Sequence, residues 1–153
     1  MNRAELAQYF KSNLFIADLK AETKEEVLDE ILDLFVREKY IRNRDIVSQM
    51  LHQRETLGST GIGKGVAIPH GRTTAASDVL IAFAKSEKGI DFNAIDKKPA
   101  HLFFMVIAPP HDDGNNYLPI LGTLVTVLND KENRDKLLKV QSFDEFISII
   151  TGE

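Results

Sequence analysis

Three features of the sequence predict an α/β fold: helical apolar periodicity towards both ends, short continuous apolar runs between them, and a glycine-rich segment joining the two patterns. Hydrophobic residues make up 43% and charged residues 27% of the 153 residues, an ordinary composition for a folded chain. With no repeat and no long Pro- or Ser-rich linker, one domain is expected over residues 1–153.

The elements follow from local chemistry. Residues 23–39 (TKEEVLDEILDLFVREK) place Val27, Leu28, Ile31, Leu32 and Phe35 along one helical face, behind Thr23 and Glu26 at capping-box spacing. A second helix is expected over 43–55, with Ile46, Val47, Met50 and Leu51 on one side and Arg54 at its C-terminal turn. Between Thr56 and Gly71 the run TLGSTGIGKGVAIPHG holds five glycines and a proline, which reads as a loop leading into a short strand. Residues 79–84 (VLIAFA) and 102–108 (LFFMVIA) are apolar runs of strand length and should form the sheet centre. After Pro109 and Pro110, the polar residues 111–116 (HDDGNN) read as a loop and 118–128 as a buried helix, in spite of its β-branched residues. Ser142 and Glu145 form a second capping-box pattern that opens a last helix over 142–150.

Composition narrows the chemistry. Zero cysteines exclude a disulfide framework, zinc thiolates and a thiol nucleophile. No apolar run reaches the ~18 residues of a membrane span, and the N-terminus lacks the apolar centre of a signal peptide, so no membrane insertion and a cytoplasmic location are expected. A net charge of −4 with scattered lysines argues against nucleic acid as a partner. The histidines at 52, 70, 101 and 111 contain no i, i+4 pair, so no metal site is expected, and no cofactor is implied. His52 and His101 read as surface or edge residues. No serine stands in a GxSxG elbow.

The segment Gly58–Gly65 (GSTGIGKG) meets the first seven positions of the nucleotide-binding pattern GxxxxGK[ST] but fails at the eighth, where Gly65 has no hydroxyl for magnesium. The following VAIPHG does not open a helix to receive phosphates. A surface turn would account for the glycines alone, but a polar pocket better explains their closeness to Ile68-Pro69-His70-Gly71 and Arg54. Phosphoryl transfer through histidine needs an unprotonated ring nitrogen, a fixed tautomer, and donors for the phosphoryl oxygens. A backbone carbonyl on one nitrogen of His70 would leave the other free to attack phosphorus. Backbone amides in the loop that holds Gly58, Ser59, Gly61 and Gly63, with the hydroxyls of Ser59 and Thr60, are suited to bind the oxygens, and Arg54 to neutralise charge.

The run Arg54 to Gly71, RETLGSTGIGKGVAIPHG, resembles the signature around the phosphorylated histidine of the fructose/mannitol-type enzyme IIA domains of the bacterial phosphoenolpyruvate-dependent sugar phosphotransferase system, which include nitrogen-regulatory relatives. The likeness extends over the whole chain, including 92–110 (FNAIDKKPAHLFFMVIAPP), and implies a stand-alone enzyme IIA. It implies a mixed β-sheet flanked by helices on both faces, with His70 phosphorylated, Arg54 beside it and Thr60 in the site loop. The implied partners are an HPr-like phosphocarrier protein as donor and an enzyme IIB cysteine as acceptor, or else a protein regulated by the phosphorylation state of His70. The resemblance to the nitrogen-regulatory branch tilts slightly towards regulation. The family's second histidine falls, in a gapless register back from Asn129-Asp130-Lys131, at Tyr117. His111 is the alternative by chemical type, but Tyr117 is favoured because a helix start anchors it whereas His111 sits in a loop with Gly114.

Overall fold

A computed structural model of the chain describes residues 1–112 and 114–153. The two apolar runs become β5 (Leu80–Ile90) and β6 (Ala100–Ala108), an antiparallel pair at the centre of a six-stranded sheet. Along β6, Leu102, Phe104, Val106 and Ala108 enter one core while Phe103, Met105 and Ile107 enter the other. Successive side chains of a strand point to opposite faces, so a strand covered on both sides must be apolar throughout.

β1 (Phe10–Ile16) runs parallel to the outer side of β5. On the other side of β6 lie β3 (Val66–Ala67) and β4 (His70–Arg72), both parallel to it, and β2 (Gly61–Gly63) closes antiparallel on β3. The order β1-β5-β6-β3-β2, with β4 also on β6, is a mixed sheet. Helices α2 (Lys24–Arg37) and α3 (Arg44–Thr56) cover one face. Helices α1 (Arg3–Ala7), α4 (Tyr117–Asn129), α5 (Lys131–Leu137) and α6 (Phe143–Thr151) cover the other. The α/β sheet flanked on both faces is therefore as expected. No helix of the described residues is long and apolar enough to cross a membrane.

The segment expected to be a loop before one short strand is instead a hairpin of β2 and β3 with a two-residue turn, followed by one more strand piece, β4. Lys64 and Gly65 both have positive φ, 58° and 79°, as a type I′ turn requires between Gly63 and its cross-strand partner Val66. Pro69 separates β3 from β4; it has no N–H to donate, but its carbonyl accepts from Val106 N at 2.9 Å, which keeps the chain on β6.

Two local expectations change. β5 runs on to Ile90, six residues past the apolar run, because Lys85 and Ile90 continue to pair with Leu102 and Ala100. At the start of α2, Thr23 caps Glu26 N, but the Glu26 carboxylate accepts from the Thr23 hydroxyl where a capping box would have it accept from the Thr23 backbone. The capping box at Ser142 and Glu145 is complete. Of the 111–116 segment, Asp113 lies outside the described residues.

Candidate functional site

The histidine's setting follows from the register of β4. His70 and Arg72 pair with Val106 and Ala108, whose side chains belong to the core under α4. Adjacent partners in a sheet send their side chains to the same face, so His70 and Arg72 lie on the α4 side and Gly71 faces α3. A Cβ on Gly71 would lie 1.9 Å from Met50 Sδ, so the absence of a side chain there lets α3 close against the strand. The two helices, one from each face, thus meet across β4 and leave a shallow groove of about 460 Å³. Met50, Gln53, Arg54 and Leu57 of α3 and its C-cap form one wall, Tyr117, Leu118 and Leu121 of α4 the other, with His70 and Gly71 as the floor.

His70 is half-buried, and its Nδ1 lies 2.7 Å from the Ile68 carbonyl. A carbonyl can only accept, so Nδ1 carries the proton and Nε2 holds the free lone pair. Arg54 spends one donor on the Gly58 carbonyl at 2.8 Å, which leaves four N–H groups without a partner among the described residues, on a fixed cation. Tyr117 is 6% exposed, and its ring centroid lies 6.3 Å from that of His70.

The remaining loop residues are occupied elsewhere. Thr60, buried, donates its backbone N–H to Glu55 Oε1 at 3.0 Å and its hydroxyl to Glu55 Oε2. Glu55 also pairs with Lys24 Nζ at 3.0 Å, with both side chains largely buried. Ser59 donates its hydroxyl to the Phe92 carbonyl and accepts from Gly61 N. Gly61 and Gly63 belong to the β2 ladder. Ser59, Thr60, Gly61 and Gly63 are therefore structural members of the hairpin and do not line the groove, while Gly58 reaches the site through its carbonyl bond to Arg54. His111 is exposed and does not line the groove either. His101 bonds through Nδ1 to the Ser86 carbonyl at 2.9 Å, and His52 Nε2 lies 3.6 Å from Asp29.

One residue the sequence reading passed over belongs here. Arg72 places its guanidinium over the Tyr117 ring, 4.6 Å from the centroid, and donates to the Pro110 carbonyl at 3.0 Å. Its two-residue spacing from His70 inside a strand was the available signal.

Burial pushes the Tyr117 phenol up to about 12, against the opposing pull of Arg72 and Arg54, so it is a neutral hydrogen-bond donor at any physiological pH. The sign is testable. Above about pH 10 the unfolded phenol loses its proton while the folded one keeps it, so stability falls as pH rises from there towards the folded value. Going from pH 9 to pH 11, the wild type should lose about 1 kcal/mol relative to Tyr117→Phe in urea unfolding. Equal losses in the two proteins would contradict this assignment.

A mixed sheet whose edge presents a singly tethered imidazole beside arginines, in an open and partly apolar groove, defines a class of protein suited to receiving an anionic group. The chain belongs to the family of the phosphoenolpyruvate-dependent sugar phosphotransferase system, EIIA 2, whose sequence model matches residues 8–152, and it is thereby a phosphotransferase-system component. It is 42% identical over 120 residues to the fructose-specific EIIA component of Haloferax volcanii, covering 78% of this chain and 77% of that protein. It is 37% identical over 133 residues to the fructose-specific EIIABC component of Bacillus subtilis, covering 87% of this chain but only 21% of that longer protein. The crystal structure of the nitrogen regulatory protein IIA-Ntr from Neisseria meningitidis superposes with a TM-score of 0.88 at 31% identity, over 96% of this chain and 99% of that one.

Proposed function

We propose that the whole chain acts in the cytoplasm as one enzyme IIA domain, taking a phosphoryl group from an HPr-like protein onto Nε2 of His70 and passing it to an enzyme IIB cysteine. The observation that carries this reading is the Nδ1–H bond to the Ile68 carbonyl, which fixes the tautomer needed for attack through Nε2. In the first step the Nε2 lone pair forms the bond to phosphorus while the donor's N–P bond breaks and returns its electron pair to the donor imidazole. The proton stays on Nδ1, donated to the Ile68 carbonyl, whose dipole steadies the positive charge left on the ring. In the second step a cysteine thiolate attacks phosphorus, and the N–P pair returns to Nε2.

Arg54 supplies charge-assisted hydrogen bonds to the phosphoryl oxygens and Tyr117 a neutral one. The exposed side chains of Leu57 and Leu118, 85% and 66% exposed, flank His70 and suit docking of another protein's surface more than enclosure of a small substrate. Arg54→Ala should slow phosphorylation by phospho-HPr about 10²-fold, as for loss of one preorganised donor to a developing charge. A wild-type rate in a stopped transfer assay would remove Arg54 from the site.

A second reading is favoured by the close superposition on a nitrogen regulatory IIA. In it the added charge of about −2 at His70 selects which protein binds the groove face. Adding a IIB domain to the phosphorylated protein separates the two: rapid loss of the phosphoryl group to IIB supports the shuttle, and its retention supports the regulator.

A further inference from the structure

We infer that Arg72 is the second phosphoryl-binding cation of this site, taking over the charge that Tyr117 does not supply. The inference rests on the proposed phosphorylation of His70. A phosphoryl group on His70 brings a charge of about −2 to a half-buried position. Of the groove-lining side chains, Arg54 is the only fixed cation, and the phenol of Tyr117 donates a hydrogen bond without any charge. One positive charge is thus missing from the groove wall.

Arg72 is placed to provide it. It stands two residues from His70 on the same strand and the same face, and its guanidinium stacks on the other participant, the Tyr117 ring, at 4.6 Å. That ring in turn lies 6.3 Å from the imidazole, so His70, Tyr117 and Arg72 form one contiguous cluster. Among the described residues, only one of the five guanidinium N–H groups is spent, on the Pro110 carbonyl. Even against a buried ring, a cation–π contact is weaker than a bidentate, charge-assisted bond to a phosphoryl dianion, so the side chain can slide along the ring to the phosphate once His70 is loaded. The Tyr117 phenol already senses the charges of Arg72 and Arg54 together. The stacking also explains why an aromatic residue is acceptable at 117: it holds the arginine over the site in the absence of phosphate.

The test compares wild type, Arg72→Gln, Arg72→Lys and the double variant Arg72→Gln/Tyr117→His for the rate of phosphorylation by phospho-HPr, with unfolding curves to establish that each is folded. The wild type must first take up phosphate on His70; if it does not, the underlying reading fails and not this one. Given that, Arg72→Gln should be slowed at least 10-fold, Arg72→Lys should keep most of the rate because it keeps the charge, and the double variant should recover part of it below pH 7, where the new histidine can become a cation. Arg72→Gln at the wild-type rate would overturn the inference. So would slowing in Arg72→Gln that neither Arg72→Lys nor Tyr117→His relieves, which would make Arg72 a clamp on the start of α4.

Discussion

His70→Ala is expected to abolish phosphorylation by phospho-HPr while leaving the protein folded. The residue is half-buried, and its one hydrogen bond holds Ile68 two positions away, so its loss should cost about 1 kcal/mol of stability. The chemical loss has no such bound, because among the groove-lining side chains no other offers a free imidazole lone pair; His111 is exposed outside the groove. His70→Gln should be equally inactive. Phosphate uptake by either variant at a rate near wild type would move the nucleophile elsewhere.

Glu55→Ala should produce the largest loss of stability, about 3–5 kcal/mol by denaturant unfolding. Glu55 joins three elements through one carboxylate: α3, which carries it; α2, through Lys24; and the hairpin, through both the N–H and the hydroxyl of Thr60. Alanine would strand the Lys24 ammonium 4.9 Å from the Phe92 ring centroid with its side chain only 12% exposed. It would also leave the buried Thr60 hydroxyl without its acceptor. Phosphorylation of the folded fraction should slow as well, because the hairpin that leads to His70 loses its anchor. Replacing both charges, as Lys24→Met/Glu55→Gln, should recover much of the stability, since a buried ion pair is costly chiefly when halved. A loss under 1 kcal/mol for Glu55→Ala would contradict the role assigned to this network.

How much of this was legible in the sequence depended on whether an element declares itself locally. Helices α2, α3, α4 and α6 each carry an apolar stripe or a capping pattern, and β5 and β6 are apolar throughout because both faces are covered. β1 gives no such signal: in FKSNLFI only Phe10 and Leu14 are deeply buried, and its place is set by pairing with β5. α1 and α5 are five and seven residues long, too short for periodicity to emerge. The pieces β2, β3 and β4 hold three, two and three residues and exist only as additions to β6 and to each other.

The site divides in the same way. His70, Arg54 and Tyr117, named from the motif and the register, come together in one groove. The hydroxyls of Ser59 and Thr60 looked equally available because nothing in the sequence shows that Phe92 and Glu55 claim them. Arg72 was missed because its role depends on a helix that begins 45 residues later and lays Tyr117 beneath it.

The central claim is that the Ile68 carbonyl holds the Nδ1 proton and directs chemistry to the other nitrogen. Loading the ¹⁵N-labelled protein with phosphoenolpyruvate, enzyme I and HPr, then reading the imidazole by two-dimensional ¹H–¹⁵N NMR, tests it directly. The expected result is one phosphorylated histidine, His70, modified at Nε2 with its proton still on Nδ1. Modification at Nδ1, phosphate on another residue, or a protein that takes up no phosphate would contradict the account.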